Sequence, residues 1–102
     1  MKKTFSEFLK ESKSDYKIYH QSFTDAVHEI ESFVKKKGYS LDQVEMAEKI
    51  GYITKTPGSN KTNSYTLTLY KNGKEQKKAL HVQVYNRGYN NKEKYELNVY
   101  IS

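Results

Sequence analysis

The chain has no cysteine and no tryptophan, and only one proline and one arginine, in 102 residues. Without cysteine there is no disulfide framework, no thiolate nucleophile and no cysteine-based zinc site, which fits a reducing compartment. Long apolar runs are missing too. Nothing approaches the roughly 20 residues that span a bilayer, so no membrane role is expected. The opening MKKTFSEFLKES is basic but has no apolar run behind it, unlike a secretory signal, and an intracellular chain is the expectation. Asn60-Lys61-Thr62 matches a glycosylation sequon, read as chance in a chain without an export signal.

Chemical signatures are equally scarce. There is no phosphate-binding glycine loop, nucleophile elbow or zinc-finger spacing. His20, His28 and His81 are the only histidines, and no two lie at the short spacing of a metal pair. His81 with Glu96 is the only acid–base pair worth testing. The expectation is therefore a non-enzymatic protein with no catalytic residue, no metal and no cofactor.

What is present is charge, placed unevenly. Residues 1–51 carry nine basic and nine acidic residues, whereas residues 52–102 carry nine basic against three acidic, the whole +6. The second half also holds seven of the ten tyrosines. A neutral half joined to a basic, Tyr-rich half points to a surface that meets a polyanion. Arg87 is the lone arginine, and lysine is the poorer group for bidentate base or phosphate recognition. Binding of nucleic acid is thus expected to be non-specific.

Local patterns give the elements of a single α+β domain over residues 1–102, helical in 1–51 and β in 52–102. Thr4-Phe5-Ser6-Glu7 is a capping box, with Phe5, Phe8 and Leu9 on one face of a short helix over 5–12. Residues 13–21 read as a polar connector. Ser22 caps a helix whose Phe23, Ala26, Val27, Ile30, Phe33 and Val34 form one stripe, with Lys35–Lys37 in its last turn and Gly38 as its stop. Ser40, partnered by Gln43, is expected to start a third helix with Val44, Ala47 and Ile50 on its apolar face and Gly51 ending it. Residues 55–63 read as a loop.

Three strands follow. Tyr65, Leu67 and Leu69 alternate with Thr66, Thr68 and Tyr70; Leu80, Val82 and Val84 with His81, Gln83 and Tyr85; Tyr95, Leu97, Val99 and Ile101 with Glu96, Asn98 and Tyr100. The fold expected is two or three helices on one face of a three-stranded antiparallel meander, with room for a short fourth strand at Tyr52–Lys55. Asn72-Gly73 is a strong hairpin signal, but a tight turn with regular pairing would set Leu67 opposite Lys78 and Leu69 opposite Gln76. A longer loop over Lys71–Lys78 would align Leu69 with Leu80, Leu67 with Val82 and Tyr65 with Val84. The other solution is a two-stranded extension beyond the sheet with its lysines in water. Burying a lysine costs more than lengthening a loop.

The uncovered sheet face should then present Thr66, Thr68, Tyr70, His81, Gln83, Tyr85, Asn98 and Tyr100, with Lys77 and Lys94 near its edges. Aromatic rings among hydrogen-bonding groups, rimmed by cations, hold single-stranded nucleic acid without sequence readout. Lys71, Lys74, Lys77 and Lys78 are candidate phosphate contacts, and Arg87 lies in the next loop. Tyr and Thr are also simply good strand formers, and lysines flanking strands guard against aggregation. A helix over 5–12 laid on this face would cover it.

The run KNGKEQKKAL…VQVY…YELNVYI, carried by Lys71–Leu80, Gln83–Tyr85, Tyr95–Asn98 and Tyr100–Ile101, resembles small uncharacterised proteins of large contractile-tailed bacteriophages. The resemblance covers the last third of the chain, and the loop Arg87–Lys94 is longer here than in that pattern. It implies a viral protein in the host cytoplasm or in the virion, and transfers no activity to any residue. The leading expectation is a nucleic-acid-binding protein. The alternative is a protein-binding module, either a virion accessory component or a factor that occupies and inhibits a host or defence protein.

Overall fold

The computed structural model describes residues 16–51 and 56–102. The elements are β1 (Tyr19–His20), α1 (Phe23–Lys36), α2 (Gln43–Lys49), β2 (Thr62–Lys71), β3 (Lys74–Asn86) and β4 (Tyr95–Ile101). The strands form one antiparallel sheet in the order β1-β4-β3-β2, and both helices lie on the same face. This is the α+β meander that the alternation predicts. Its fourth strand is Tyr19–His20, inside the segment read as a connector. The expected helix over 5–12 and the strand at Tyr52–Lys55 fall outside the described residues.

α1 forms for the reasons visible in its sequence. The Ser22 hydroxyl accepts from the Asp25 N–H at 3.1 Å, satisfying one free donor of the first turn. At the other end Gly38, at φ 89°, lets its own N–H reach the Lys35 carbonyl and that of Tyr39 reach Val34, both at 3.0 Å. Phe23, Ala26, Val27, Ile30, Phe33 and Val34 are all buried. They meet Leu67, Leu69, Leu80, Val82, Val84, Tyr95, Leu97 and Val99 in one continuous core.

α2 departs from expectation in its start and its face. Ser40 pairs with Tyr70 as an isolated bridge, its N–H and C=O bonding the strand at 2.9 and 3.0 Å. Asp42 is the cap instead, accepting from the Val44 N–H at 3.2 Å. Met46 and, as expected, Ile50 are buried, while Val44 is 64% exposed and Ala47 is exposed. The helix is fixed by its polar side. Glu45 takes the Thr68 N–H at 2.9 Å and the Thr68 hydroxyl at 3.0 Å. Lys49 pairs with Glu45 at 3.0 Å and donates to the Thr66 carbonyl at 2.8 Å. Together with Ser40, α2 seals part of the outer edge of β2, which would otherwise offer unpaired backbone groups to another chain.

These bonds make Glu45 a pH-sensitive fastening. Burial alone would raise its carboxyl, but the donors from Thr68 and Lys49 outweigh it and hold the group below its ordinary value of 4.5. A depressed carboxyl stabilises the fold above its unfolded value and loses that contribution as pH falls through the folded one. Glu45→Ala is expected to cost about 1–2 kcal/mol at neutral pH. The difference from the parent chain should shrink below pH 4.5, read from urea midpoints across pH.

The β2–β3 hairpin resolves the conflict in its sequence by joining a tight turn to a bulge. Asn72 and Gly73, at φ 53° and 77°, make the tight two-residue turn, pairing Lys71 with Lys74 and Tyr70 with Glu75. The register then shifts: between Glu75 and Ala79 the strand β3 spends Gln76, Lys77 and Lys78 where β2 spends only Leu69. This bulge absorbs two residues, so Leu67 faces Leu80 and Tyr65 faces Val82. The longer-loop register of the sequence reading, Leu69 with Leu80 and Leu67 with Val82, is therefore corrected by one pair. The two-stranded extension does form. Lys71, Lys74, Lys77 and Lys78 stay exposed while every core leucine stays inside.

Candidate functional site

One face of the sheet carries both helices; the other has no described element on it. The Cα positions extend only 16 Å along the shortest axis, enough for one sheet and one helical layer. On the open face the register arranges side chains in rows. Tyr19, Glu96, Tyr85 and Thr62 form the first row, running from β1 to β2. Asn98, Gln83 and Ser64 form the second, and Tyr100, His81 and Thr66 the third. Rows two residues apart lie about 6.7 Å from each other.

Two ring pairs stand on this face. The His81 and Tyr100 rings stack with centroids 4.8 Å apart and planes 19° from parallel. About 13 Å along the strands, the Arg87 guanidinium lies over the Tyr19 ring, its Cζ 4.7 Å from the centroid. Arg87 is held there by the backbone: its N–H bonds the Lys94 carbonyl at 2.6 Å and its Nη1 donates to the Glu93 carbonyl at 3.2 Å. Between the ring pairs lie the amides of Gln83 and Asn98, while Glu96 brings a carboxylate into the first row, 3.5 Å from the Asn98 Nδ2.

The residues expected to work together are thus separated into groups. Tyr85, His81, Arg87 and Tyr100 share the open face. Lys71 and Lys74 flank the hairpin turn, and Lys77 and Lys78 occupy the bulge, all on the extension rather than among the rings. Lys94 lies against Tyr95, its Nζ 5.5 Å from the ring centroid, and Tyr95 belongs to the core. Tyr70 stands in acidic surroundings. Partial burial and the carboxylates of Glu75, Asp42 and Glu45 raise its phenol above the ordinary value, so an anion meets repulsion there. His81 and Glu96 do not pair, because Tyr85 faces Glu96 and His81 faces Tyr100. His28 is exposed, and His20 is buried with its Nε2 donating to the Lys17 carbonyl at 2.8 Å.

Tyr19 is the site residue that sequence reasoning missed. The alternation of Tyr16, Ile18 and His20 with Lys17 and Tyr19 is a period-2 signal, but a two-residue strand is too short for it to stand out. Asn86 was missed as well. It is buried, donates from Nδ2 to the Pro57 carbonyl at 3.0 Å and accepts the Gly88 N–H at 2.9 Å, which ties the loop before β2 to the loop that carries Arg87.

Among the described residues, no group of three or more His, Asp or Glu side chains is placed to hold a metal ion. No helix among them is long and apolar enough to cross a membrane. Compared with known proteins, the chain matches no family model, no curated protein and no solved structure.

Proposed function

We propose that the open sheet face binds single-stranded nucleic acid without sequence preference, as a binding protein rather than an enzyme. The observation that carries the reading is the pair of stacked assemblies, His81 on Tyr100 and Arg87 on Tyr19, on the sheet face that carries no described element. Flat rings accept any base by stacking, and the amides of Gln83 and Asn98 between them offer hydrogen bonds to whatever base edge lies nearby. Arg87 supplies a cation within the face. The exposed lysines at positions 71, 74, 77 and 78 supply the phosphate contacts where the strand leaves it. The resemblance of Lys71–Ile101 to small proteins of contractile-tailed bacteriophages supports an infected bacterial cell, or the virion, as the setting of this activity.

A titration series with a fluorescent oligothymidylate tests the reading. Tyr100→Ala is expected to weaken binding by about 1–3 kcal/mol while leaving the salt dependence nearly unchanged. Replacing Lys74, Lys77 and Lys78 together by Gln should flatten the plot of log affinity against log salt by about 0.7 for each phosphate that is no longer neutralised. Glu96→Gln removes a carboxylate from between the rings and should strengthen binding. Equal responses from the ring and lysine variants would overturn the division of labour. The face would then serve better as an interface for another protein.

A further inference from the structure

β2 lays a column of hydroxyls along the open face. Thr62, Ser64 and Thr66 alternate with Asn63, Tyr65 and the buried Leu67, so all three stand on the side away from the helices, about 6.7 Å apart, and all three are exposed. Their side chains make no hydrogen bond to any described residue. The register sets each beside a member of the β3 column: Thr62 beside Tyr85, Ser64 beside Gln83 and Thr66 beside His81. Side chains directly opposed in this way start about 4.5–5.5 Å apart, so every hydroxyl has a ring or an amide next to it.

The two flanks of the β3 column differ in charge. On the β4 side Glu96 faces Tyr85 and brings a carboxylate onto the open face, and the cation beyond it, Arg87, lies over the Tyr19 ring. On the other side β2 contains no acidic residue, and the exposed Lys61 and Lys71 stand at its two ends. At the outer edge of β2, Glu45 is paired with Lys49. A single strand stacked on Tyr85 and His81 therefore meets least repulsion with its phosphates toward β2. A base resting on a β3 ring then carries its ribose one strand over, above the hydroxyl column, since the sugar is displaced from the base centre by a distance comparable to the strand spacing of about 4.8 Å.

Ribose differs from deoxyribose in one group, the 2′-hydroxyl, which both donates and accepts and by which a protein tells RNA from DNA. Serine and threonine hydroxyls also donate and accept, and rotate to suit. We propose that the open face prefers single-stranded RNA to DNA, because Thr62, Ser64 and Thr66 hydrogen-bond the ribose 2′-hydroxyls of a strand whose bases lie on the β3 column. The preference is for the sugar and leaves the bases unread. It rests on the nucleic-acid reading of this face and names the substrate within it.

The probes are fluorescent oligouridylate and oligodeoxyuridylate of about eight nucleotides, identical in base and titrated separately into the full chain. At about 50 mM salt the RNA is expected to bind about fivefold or more tighter than the DNA, the net effect of a few added hydrogen bonds. The combined variant Thr62→Val, Ser64→Ala, Thr66→Val removes three exposed hydroxyls and keeps the β-branched shapes at positions 62 and 66. In it the RNA should weaken to the level of the DNA, while DNA binding changes less than twofold. Equal affinities in the parent chain would overturn the sugar preference and leave the nucleic-acid reading standing. A preference for RNA that survives in the combined variant would overturn the role of the hydroxyls. Absence of binding to either strand would overturn this proposal together with the reading it rests on.

Discussion

Truncating Ile30 to Ala is expected to lower the free energy of unfolding by about 2–5 kcal/mol. Ile30 is fully buried at the middle of the α1 stripe and belongs to the single cluster that joins helix to sheet. Among the described residues α2 contributes only Met46 and the adjoining Ile50 to that cluster, and α1 supplies most of its helical side. A cavity beneath it cannot be filled from elsewhere without moving the helix. Domains of this size carry about 5–15 kcal/mol in all, so the loss is a large share. Val44→Ala provides the contrast. Periodicity alone marks Val44 as core, yet it is 64% exposed, and its truncation should change stability by less than about 0.5 kcal/mol. Urea unfolding with unchanged slope measures both, and comparable losses would place the core wrongly.

Asn86→Ala is expected to cost about 2–4 kcal/mol, large for a polar residue. The substitution strands two groups at once, the Gly88 N–H and the Pro57 carbonyl, at a site closed to water. Its backbone bonds to Asn60 and Lys61, at 2.8 and 3.0 Å, remain in the variant, so the loss isolates the side chain. Asn86→Asp keeps the acceptor for Gly88 but turns a donor toward Pro57 into a second acceptor, and should also destabilise. Faster amide exchange at Gly88 in both variants would accompany the lower midpoints. Since Arg87 follows directly, loosening here should also release the guanidinium from Tyr19.

The parts of this fold that could be read in the sequence are those where one physical rule acts alone. The α1 stripe obeys the helical period, Ser22 and Gly38 bound it, and the alternation of β3 and β4 separates buried from open positions without exception from Leu80 to Val84 and from Tyr95 to Val99. Where rules compete, local reading fails. Asn72-Gly73 demands a tight turn while Lys77 and Lys78 demand water, and a bulge satisfies both, a solution visible only once the partner strand is present. The α2 register likewise follows from Glu45 and Lys49 reaching a strand edge some twenty residues away in sequence, which no pattern within the helix encodes. At the open face, Tyr85, His81 and Tyr100 follow from alternation. The meeting of Arg87 with Tyr19 depends on β1, which a two-residue strand hides.

Amide chemical-shift mapping with an oligothymidylate at about 50 mM salt tests the central claim most directly, because it reports whether binding occurs and on which face. Shifts are expected to concentrate at Tyr19, Tyr85, Arg87, His81, Gln83 and Tyr100 and along the extension from Lys71 to Lys78, and to fade as salt is raised to about 200 mM. No shifts at the lower salt, or shifts confined to the exposed faces of α1 and α2, would contradict the account.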